Sequence, residues 1–401
     1  PAEAIRLARE IDIAVPDNLD AMKVRAAILV DGGVATNDKD AIEEGLALHR
    51  KLYAEAAAPD VAYNLANALN SAVGYPPENP SWLDHHEQTR VQRAEARQLY
   101  SIVARDIEVD PEIRTQAWTN LGNQFSASFR MGEAHDARLA ALEIDPTNGV
   151  AAGAAARDLY WLFHQGGCSE LTLTEAAMFA KVADKHKERV REFAGQKAAD
   201  ELSAIADLFD DPPPRSPHID PFMRWLEKER LTLAPVVELI DPSLGKLDWL
   251  MLPGIMDREA IRNNHQVPAL FAMYNVLKAD FILARDLAWR ATKGHEWPST
   301  GRFDDTLDDA TYGPHASALV FAQRTALDLL DKVAVIANHY FELGHKPKKV
   351  SFSRIWRDRK EQSGSYPLNP KVEYAIRSGV RALYGLVELS DDYAHTEGIL
   401  R

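Results

Sequence analysis

Apolar residues along this chain recur at intervals of three and four, with Ala, Leu, Glu, Arg and Lys filling the positions between, so the pattern predicts helix almost throughout. No alternating run of β-branched residues is long enough to predict a sheet. Turn signals at Val30-Asp-Gly-Gly33, Val109-Asp-Pro111 and Ile144-Asp-Pro-Thr-Asn-Gly149 divide the first half into short helices in antiparallel pairs. One or two charged helices follow over 171–209, and Asp210-Asp-Pro-Pro-Pro-Arg-Ser-Pro217 then breaks any helix. A Pro run of this kind is extended and semi-rigid, which makes it a spacer between two bodies. Past a short amphipathic piece at 222–232 and a Pro-punctuated stretch to Pro253, three longer helices are predicted. They cover 267–292 (Leu270, Met273, Tyr274, Leu277, Phe281 and Leu287 on one face, Gly294 closing it), 315–341 (closed by Gly344) and 372–389. The expected fold class is all-α, with a helical repeat domain at 1–209, a linker with short helices at 210–263 and a helical bundle at 264–401.

Within the first half one segment repeats a known spacing. Trp118, Leu121, Gly122 and Phe125 share one helix, and Ala134, Ala141 and Pro146 follow at the intervals of a tetratricopeptide repeat of ~34 residues. Gly122 and Ala134 are small where paired helices touch, while Trp118 and Phe125 fill the space between them. Arg138 departs from the pattern, standing where an aromatic residue is usual. A second unit pairs Leu65, Ala66 and Leu69 with Ala96 and Tyr100 around an insertion at 74–88, and a third spans 18–56. Three stacked units with a capping helix through about Phe163 make a minimal solenoid, because a helical pair cannot bury its apolar stripe alone.

Composition narrows the class. The 401 residues carry a formal net charge of -14, 46% apolar and 8% aromatic side chains, too many core formers for intrinsic disorder. No stretch approaches the ~20 apolar residues of a membrane span. The single Cys168 forms no intramolecular disulfide and the first residues lack the features of a secretion signal, so a cytoplasmic location is expected. Net acidity argues against a uniform nucleic-acid coat and directs attention to local basic patches.

Four phrases in the C-terminal block, Leu283-Ala-Arg-Asp-Leu287, Thr306-Leu-Asp-Asp-Ala-Thr-Tyr-Gly313, Leu330-Asp-Lys-Val-Ala-Val-Ile-Ala-Asn-His-Tyr-Phe-Glu-Leu-Gly344 and Val350-Ser-Phe-Ser-Arg-Ile-Trp356, resemble successive landmarks of one branch of the HEPN superfamily. The resemblance covers 264–401, and that branch typically carries tetratricopeptide-like repeats ahead of the HEPN domain. It implies a helical bundle that dimerises and cleaves RNA without a metal or other cofactor, in a toxin or anti-phage effector. Active members of the superfamily use an Arg and a His four to six residues apart near the start of the last helix. There Arg steadies the phosphate and His moves protons to or from the 2′-hydroxyl and the leaving oxygen. The resemblance places that motif just after Thr396-Glu-Gly-Ile-Leu-Arg401, so either Arg401 opens it or the sequence is a piece of a longer chain, the reading that the missing initiator Met favours. Asp280 and Arg285 match polar positions of the family and face an inter-protomer cleft on this reading. An ordinary near-neighbour helix pair is the competing explanation.

Other Arg-to-His spacings are Arg130/His135, Arg157/His164, Arg258/His265 and Arg290/His295, about as many as chance provides. Arg290 and His295 remain weak catalytic candidates at a helix end, where a helix dipole alone would also favour them. Lys346, Lys348, Lys349, Arg354, Arg357, Arg359 and Lys360 form the densest basic cluster, interleaved with Phe352 and Trp356. Either the cations hold RNA phosphates while the aromatics stack on bases, or the segment is a solvated loop anchored by aromatics in the core. No phosphate-binding Gly loop, paired-Cys motif or arguable nucleophile is present, and His85-His86 reads as a polar insertion, so no metal site is expected.

The expectation that the resemblance implies is a metal-independent endoribonuclease that dimerises through its bundle, and the repeats add an expected protein or peptide partner. A non-catalytic scaffold, whose bundle only dimerises or docks a partner, is the alternative from a different class.

Overall fold

The computed structural model describes residues 1–14, 18–74, 81–166, 168–208, 210, 212, 216–234, 248, 250, 252, 269–293, 297, 301, 303, 312–358 and 366–396. Sixteen α-helices account for most of them, and the β pairing among them is confined to two isolated bridges, Phe303 with Tyr312 and Arg357 with Leu368. The fold is all-α. None of the described helices is long and apolar enough to cross a membrane. The chain divides into two compact units, Pro1–Asp158 with Ala176–Leu208 and Leu159–Glu175 with Phe209–Arg401. The Pro run at 210–217 lies largely outside the described residues.

In the first unit, α1 (Ala2–Ala14) precedes three helical hairpins. These pair α2 (Leu19–Thr36) with α3 (Lys39–Glu55), α4 (Pro59–Val73) with α6 (Arg90–Arg105), and α7 (Pro111–Ala127) with α8 (Met131–Ile144). The short α5 (Trp82–Gln88) sits inside the expected insertion, and the chain continues through α9 (Gly149–His164), α10 (Glu170–Lys185) and α11 (Lys187–Ala206), the end of α9 and the start of α10 being counted with the second unit. The last of these is kinked at Gly195, whose φ is 85°.

Local chemistry explains the boundaries. Asn18, Asp38 and Asp110 each accept a backbone N–H at a helix start, and Pro59 and Pro111 occupy the first turn, where a missing N–H costs nothing. The expected turn at Val30–Gly33 is not one: α2 runs through it to Thr36 and ends at Asn37 in the left-handed region (φ 55°). The two glycines serve close packing instead. A Cβ at Gly32 would stand 2.8 Å from Ile5 Cγ1, and one at Gly33 would stand 2.9 Å from Asp38 O.

The hairpins stack through a continuous core that includes Val30, Leu46, Leu65, Leu69, Ala96, Tyr100, Val103 and Leu121. Gly122 lies where the pattern requires a small residue, since a Cβ there would meet Ala134 O at 3.2 Å. Arg138 takes the place of an aromatic by pairing with Asp158, which also accepts from Ser126 Oγ at 3.0 Å, so an internal ion pair replaces ring packing.

Helices α4 and α7 share a register. Tyr63 Oη donates to Gln116 Oε1 (2.9 Å), Asn120 Nδ2 to Asn67 Oδ1 (3.3 Å) and Gln124 Nε2 to Asn70 Oδ1, at sequence separations of 53, 53 and 54 residues. A constant separation means that the two helices run parallel, side by side, as the corresponding helices of successive hairpins must.

The second unit contains α12 (Pro221–Lys228), α13 (Ala269–Thr292), α14 (Pro314–Tyr340), α15 (Pro370–Arg377) and α16 (Leu383–Thr396). The long α13 and α14 pack along each other, and α12 brings Trp225 to 5.2 Å from the Trp289 ring of α13. The single helix expected over 372–389 is two, because Gly379 (φ 111°) breaks it into α15 and α16.

Two outcomes test this packing. Ala ordinarily gains about 1 kcal/mol over Gly in a helix interior, but a Cβ at Gly45 would lie 2.9 Å from Ala26 O and 3.0 Å from Val30 N on α2. Gly45→Ala is expected to reverse that sign and lower the denaturant midpoint by the equivalent of about 1–3 kcal/mol. His49 is buried, and desolvation holds its pKa below the usual histidine value, with only partial compensation from Asp31. The unfolded chain therefore binds the extra proton first. Stability is complete above about pH 6.5 and falls as the pH drops through the depressed folded value. Denaturant midpoints at pH 7.5 and 5.5 should lie closer together in His49→Gln than in the parent protein.

Candidate nucleic-acid interface

The basic segment 346–358 lies between α14 and α15, and its backbone is pinned at both ends and in the middle. At the start, Asn338 of α14 holds His345 by a reciprocal pair: Asn338 Nδ2 donates to His345 O and His345 N donates to Asn338 Oδ1, both at 3.0 Å. One 3-10 turn, Pro347–Lys349, follows. In the middle, Phe352 N donates to Asp331 Oδ1 of α14 at 2.8 Å, and Phe352 O accepts from Ser390 Oγ of α16 at 3.0 Å. At the far end, Asn369 N donates to Trp356 O at 2.9 Å. These bonds fix a segment that has no extended regular structure of its own.

The aromatic side chains supply the rest of the anchor. Phe352 and Trp356 are each 1% exposed and meet edge to face with centroids 5.7 Å apart. The reading in which Phe352 and Trp356 stack on bases is therefore corrected: no base can reach rings enclosed by the core. Tyrosines that sequence reasoning passed over are the exposed ones. Tyr374 on α15 is 74% exposed, and Tyr340 at the end of α14 and Tyr366 are also open to solvent. Lys371, one turn before Tyr374, donates from Nζ to Glu342 O just past the end of α14. The signal available in the sequence was a break in the apolar period, an aromatic at a position where the helix faces water.

The cations of the cluster divide into two kinds. Lys346, Lys348, Lys349 and Arg354 are exposed and have no ion-pair partner among the described residues. Arg357 is different: its Nε and Nη2 grip Asp391 of α16 at 2.9 Å each, and Nη1 donates to Tyr366 O at 3.1 Å. That bidentate pair is mostly shielded from water and spends the charge internally. Arg359 and Lys360 lie outside the described residues.

The catalytic candidates are not brought together. Asp280 on α13 pairs with Lys332 on α14. Arg285, 6% exposed, holds Asp248 through two bonds (Nη1 to Oδ1 at 2.5 Å, Nη2 to Oδ2 at 2.7 Å) and donates to Leu231 O at 3.1 Å. In this structure Asp280 and Arg285 hold elements of the second unit to one another. Arg290 is exposed on the last turn of α13, while His295 and Arg401 lie outside the described residues. His315, in the first turn of α14, accepts from Trp297 Nε1 at its Nδ1 (3.1 Å), which leaves Nε2 as the protonated nitrogen of the neutral ring. Burial pushes the Tyr274 phenol up to about 12, so it exchanges no proton near neutral pH.

Apolar side chains of α13 and α14 are also exposed: Val276 and Leu283, two turns apart on α13, and Leu319, Val320, Phe321 and Leu327 on α14. Exposed Arg324 and Asp328 flank the α14 part. No group of His, Cys, Asp and Glu able to hold a metal occurs among the described residues.

The two kinds of cation predict two kinds of mutant. Arg357→Ala removes the bidentate pair with Asp391 and the bond to Tyr366 O from a largely dry setting and should lower the stability of the second unit by about 3 kcal/mol. Lys348→Ala should change it by less than about 0.5 kcal/mol. Denaturant unfolding of both variants checks the contrast.

Residues 261–399 match the family model described as LA2681-like HEPN. No curated protein matches the chain.

Proposed function

We propose that the LA2681-like HEPN domain at 261–399 is an RNA-binding, RNA-cleaving module, and that the protein acts as a metal-independent endoribonuclease in a toxin or anti-phage role. The observation that carries this reading is the pinned basic segment: Lys346, Lys348, Lys349 and Arg354 stand exposed on a fixed backbone with no ion-pair partner among the described residues, in a chain whose net charge is -14. A backbone already held in place loses little further freedom when a phosphate arrives, and the clustered cations concentrate positive potential locally despite the overall acidity. Tyr374, with Tyr340 at the end of the neighbouring helix, offers rings on which unpaired bases stack, the mode single-stranded RNA favours. Cleavage of such a strand needs a cation against the scissile phosphate and a group that shuttles a proton, which Arg and His provide without a metal.

Dimerisation belongs to the same proposal. The open apolar surface of α13 and α14 suits a second copy of this chain, because Arg324 and Asp328 one turn apart on α14 are self-complementary under a two-fold axis: each Arg meets the partner copy's Asp. A non-catalytic scaffold is favoured by a different observation. Asp280, Arg285 and Arg357, polar groups that a cleaving site would draw on, are engaged in internal pairs.

The test is incubation of the purified full chain with labelled total RNA in EDTA, beside Lys346→Glu/Lys348→Glu/Lys349→Glu. Cleavage that persists in EDTA and falls at least tenfold in the triple variant is expected. The slope of log affinity against log salt should shrink by about 2, at ~0.7 per phosphate contact on a single strand. Binding and cleavage unchanged in the triple variant would remove the basic segment from the account, and RNA binding without cleavage would leave the scaffold.

A further inference from the structure

In the first unit, α4, α7 and α11 enclose a cleft of about 360 Å³ walled chiefly by amides and rings: Tyr63 and Asn67 from α4, Gln116, Asn120 and Asn123 from α7, and Phe193 from α11. Ligand pockets run from about 300 to 1,000 Å³, so the size suits one small molecule. Phe193 stands 67% exposed at this cleft, two residues before the kink at Gly195. Its ring and that of Tyr63 are faces that a flat ligand can cover.

The polar atoms of the walls are only partly used. Asn67 Oδ1 accepts from Tyr100 Oη (2.8 Å) and from Asn120 Nδ2, Gln116 Oε1 accepts from Tyr63 Oη, and Gln116 Nε2 donates to Glu112 Oε1 at 3.3 Å. These bonds hold Tyr63, Gln116 and Asn120 in place. Asn120 Oδ1 and the whole amide of Asn123 have no hydrogen-bond partner among the described residues. Residues three apart on a helix share a face, with Cβ atoms about 5–6 Å apart, so these open groups can address one ligand.

We propose that this cleft is a small-molecule site for an adenine nucleoside, read by its base and not by any phosphate. The outer edge of adenine sets an amino donor beside the N7 acceptor, the complement of a carboxamide. Asn123 Oδ1 takes one N6 hydrogen while its Nδ2 donates to N7, and Asn120 Oδ1 takes the second N6 hydrogen. Guanine shows two acceptors at the same edge and calls for Arg or Lys. Among the described residues lining the cleft Arg189 is the one cation, and it faces Asp145 at 3.5 Å. The walls therefore offer no unpaired cation to guanine, to a phosphate or to a nucleic-acid backbone. A purine also covers more of the Tyr63 and Phe193 rings than a single-ring base does. Burial pushes the Tyr63 phenol up, so its ring stays neutral and its hydroxyl remains a donor to Gln116.

This inference stands apart from the ribonuclease reading, since its experiment measures binding of a phosphate-free small molecule and no cleavage. The full chain is titrated calorimetrically with adenosine, guanosine, adenosine monophosphate and the adenosine analogue that carries carbon in place of N7. We expect adenosine to bind, guanosine and the analogue to bind at least about fivefold more weakly, and the monophosphate to bind no more tightly than adenosine. Asn123→Ala should weaken adenosine about tenfold or more with an unchanged unfolding midpoint, which separates the site from the fold. Phe193→Ala should weaken adenosine and guanosine by the same factor, as loss of a stacking face does. Absence of adenosine binding, affinity indifferent to Asn123→Ala or to the loss of N7, guanosine equal to adenosine, or a monophosphate bound more than about tenfold tighter than the nucleoside would overturn the proposal.

Discussion

A pair of α-helices can bury only one stripe of each partner, and the organisation of both units follows from how the remaining stripes are covered. In the first unit the next hairpin covers them. Small residues at the crossings, Gly33 against Ile42, Gly45 against Val30 and Gly122 against Ala134, let successive helices approach closely enough for the core from Val30 to Ala137 to run without interruption. Stacking of this kind forces like helices into parallel register. The amides of α4 and α7 therefore face each other at a fixed spacing, and a groove of neutral hydrogen-bonding groups is the consequence. In the second unit α13 and α14 pack along one another, and Val276, Leu283, Val320 and Leu327 remain exposed.

Ionic groups follow a similar division of labour. Three charges in the packed interior are paired within their own unit, Arg138 with Asp158, Arg285 with Asp248 and Arg357 with Asp391. Such pairs hold elements in place at the cost of desolvation, and their charges are unavailable to a ligand. The exposed cations on the segment after α14 sit on a backbone held by bonds to Asp331, Asn338 and Ser390 and by the buried rings of Phe352 and Trp356. Because backbone groups and buried rings make these anchoring contacts, Lys346, Lys348, Lys349 and Arg354 have no ion-pair partner among the described residues.

Much of the fold is legible in the sequence because its signals are local. The apolar period gives the helices, and Asp110 before Pro111 or Asn369 before Pro370 gives their starts. Small residues are ambiguous, and there the reading errs. Gly32-Gly33 has the composition of a turn but sits mid-helix to admit α1 and α3, while Gly379, read through as helix, takes a positive φ and ends one. The candidate site is less legible because partner choice is not local. Nothing near Arg357 in sequence identifies Asp391, 34 residues on, as its counterion, and nothing near Arg285 identifies Asp248. The basic cluster is visible as composition, but only the geometry sorts its free cations from the spent one and shows that its aromatics face inward.

The central claim is that RNA meets this protein on the pinned segment of the HEPN domain. Ultraviolet cross-linking of single-stranded RNA to the full chain, followed by mass-spectrometric mapping of the modified peptides, tests it most directly. The account predicts cross-links within 340–358 and at Tyr374. Cross-links confined to residues 1–208, or spread evenly over the exposed lysines of both units, would contradict it.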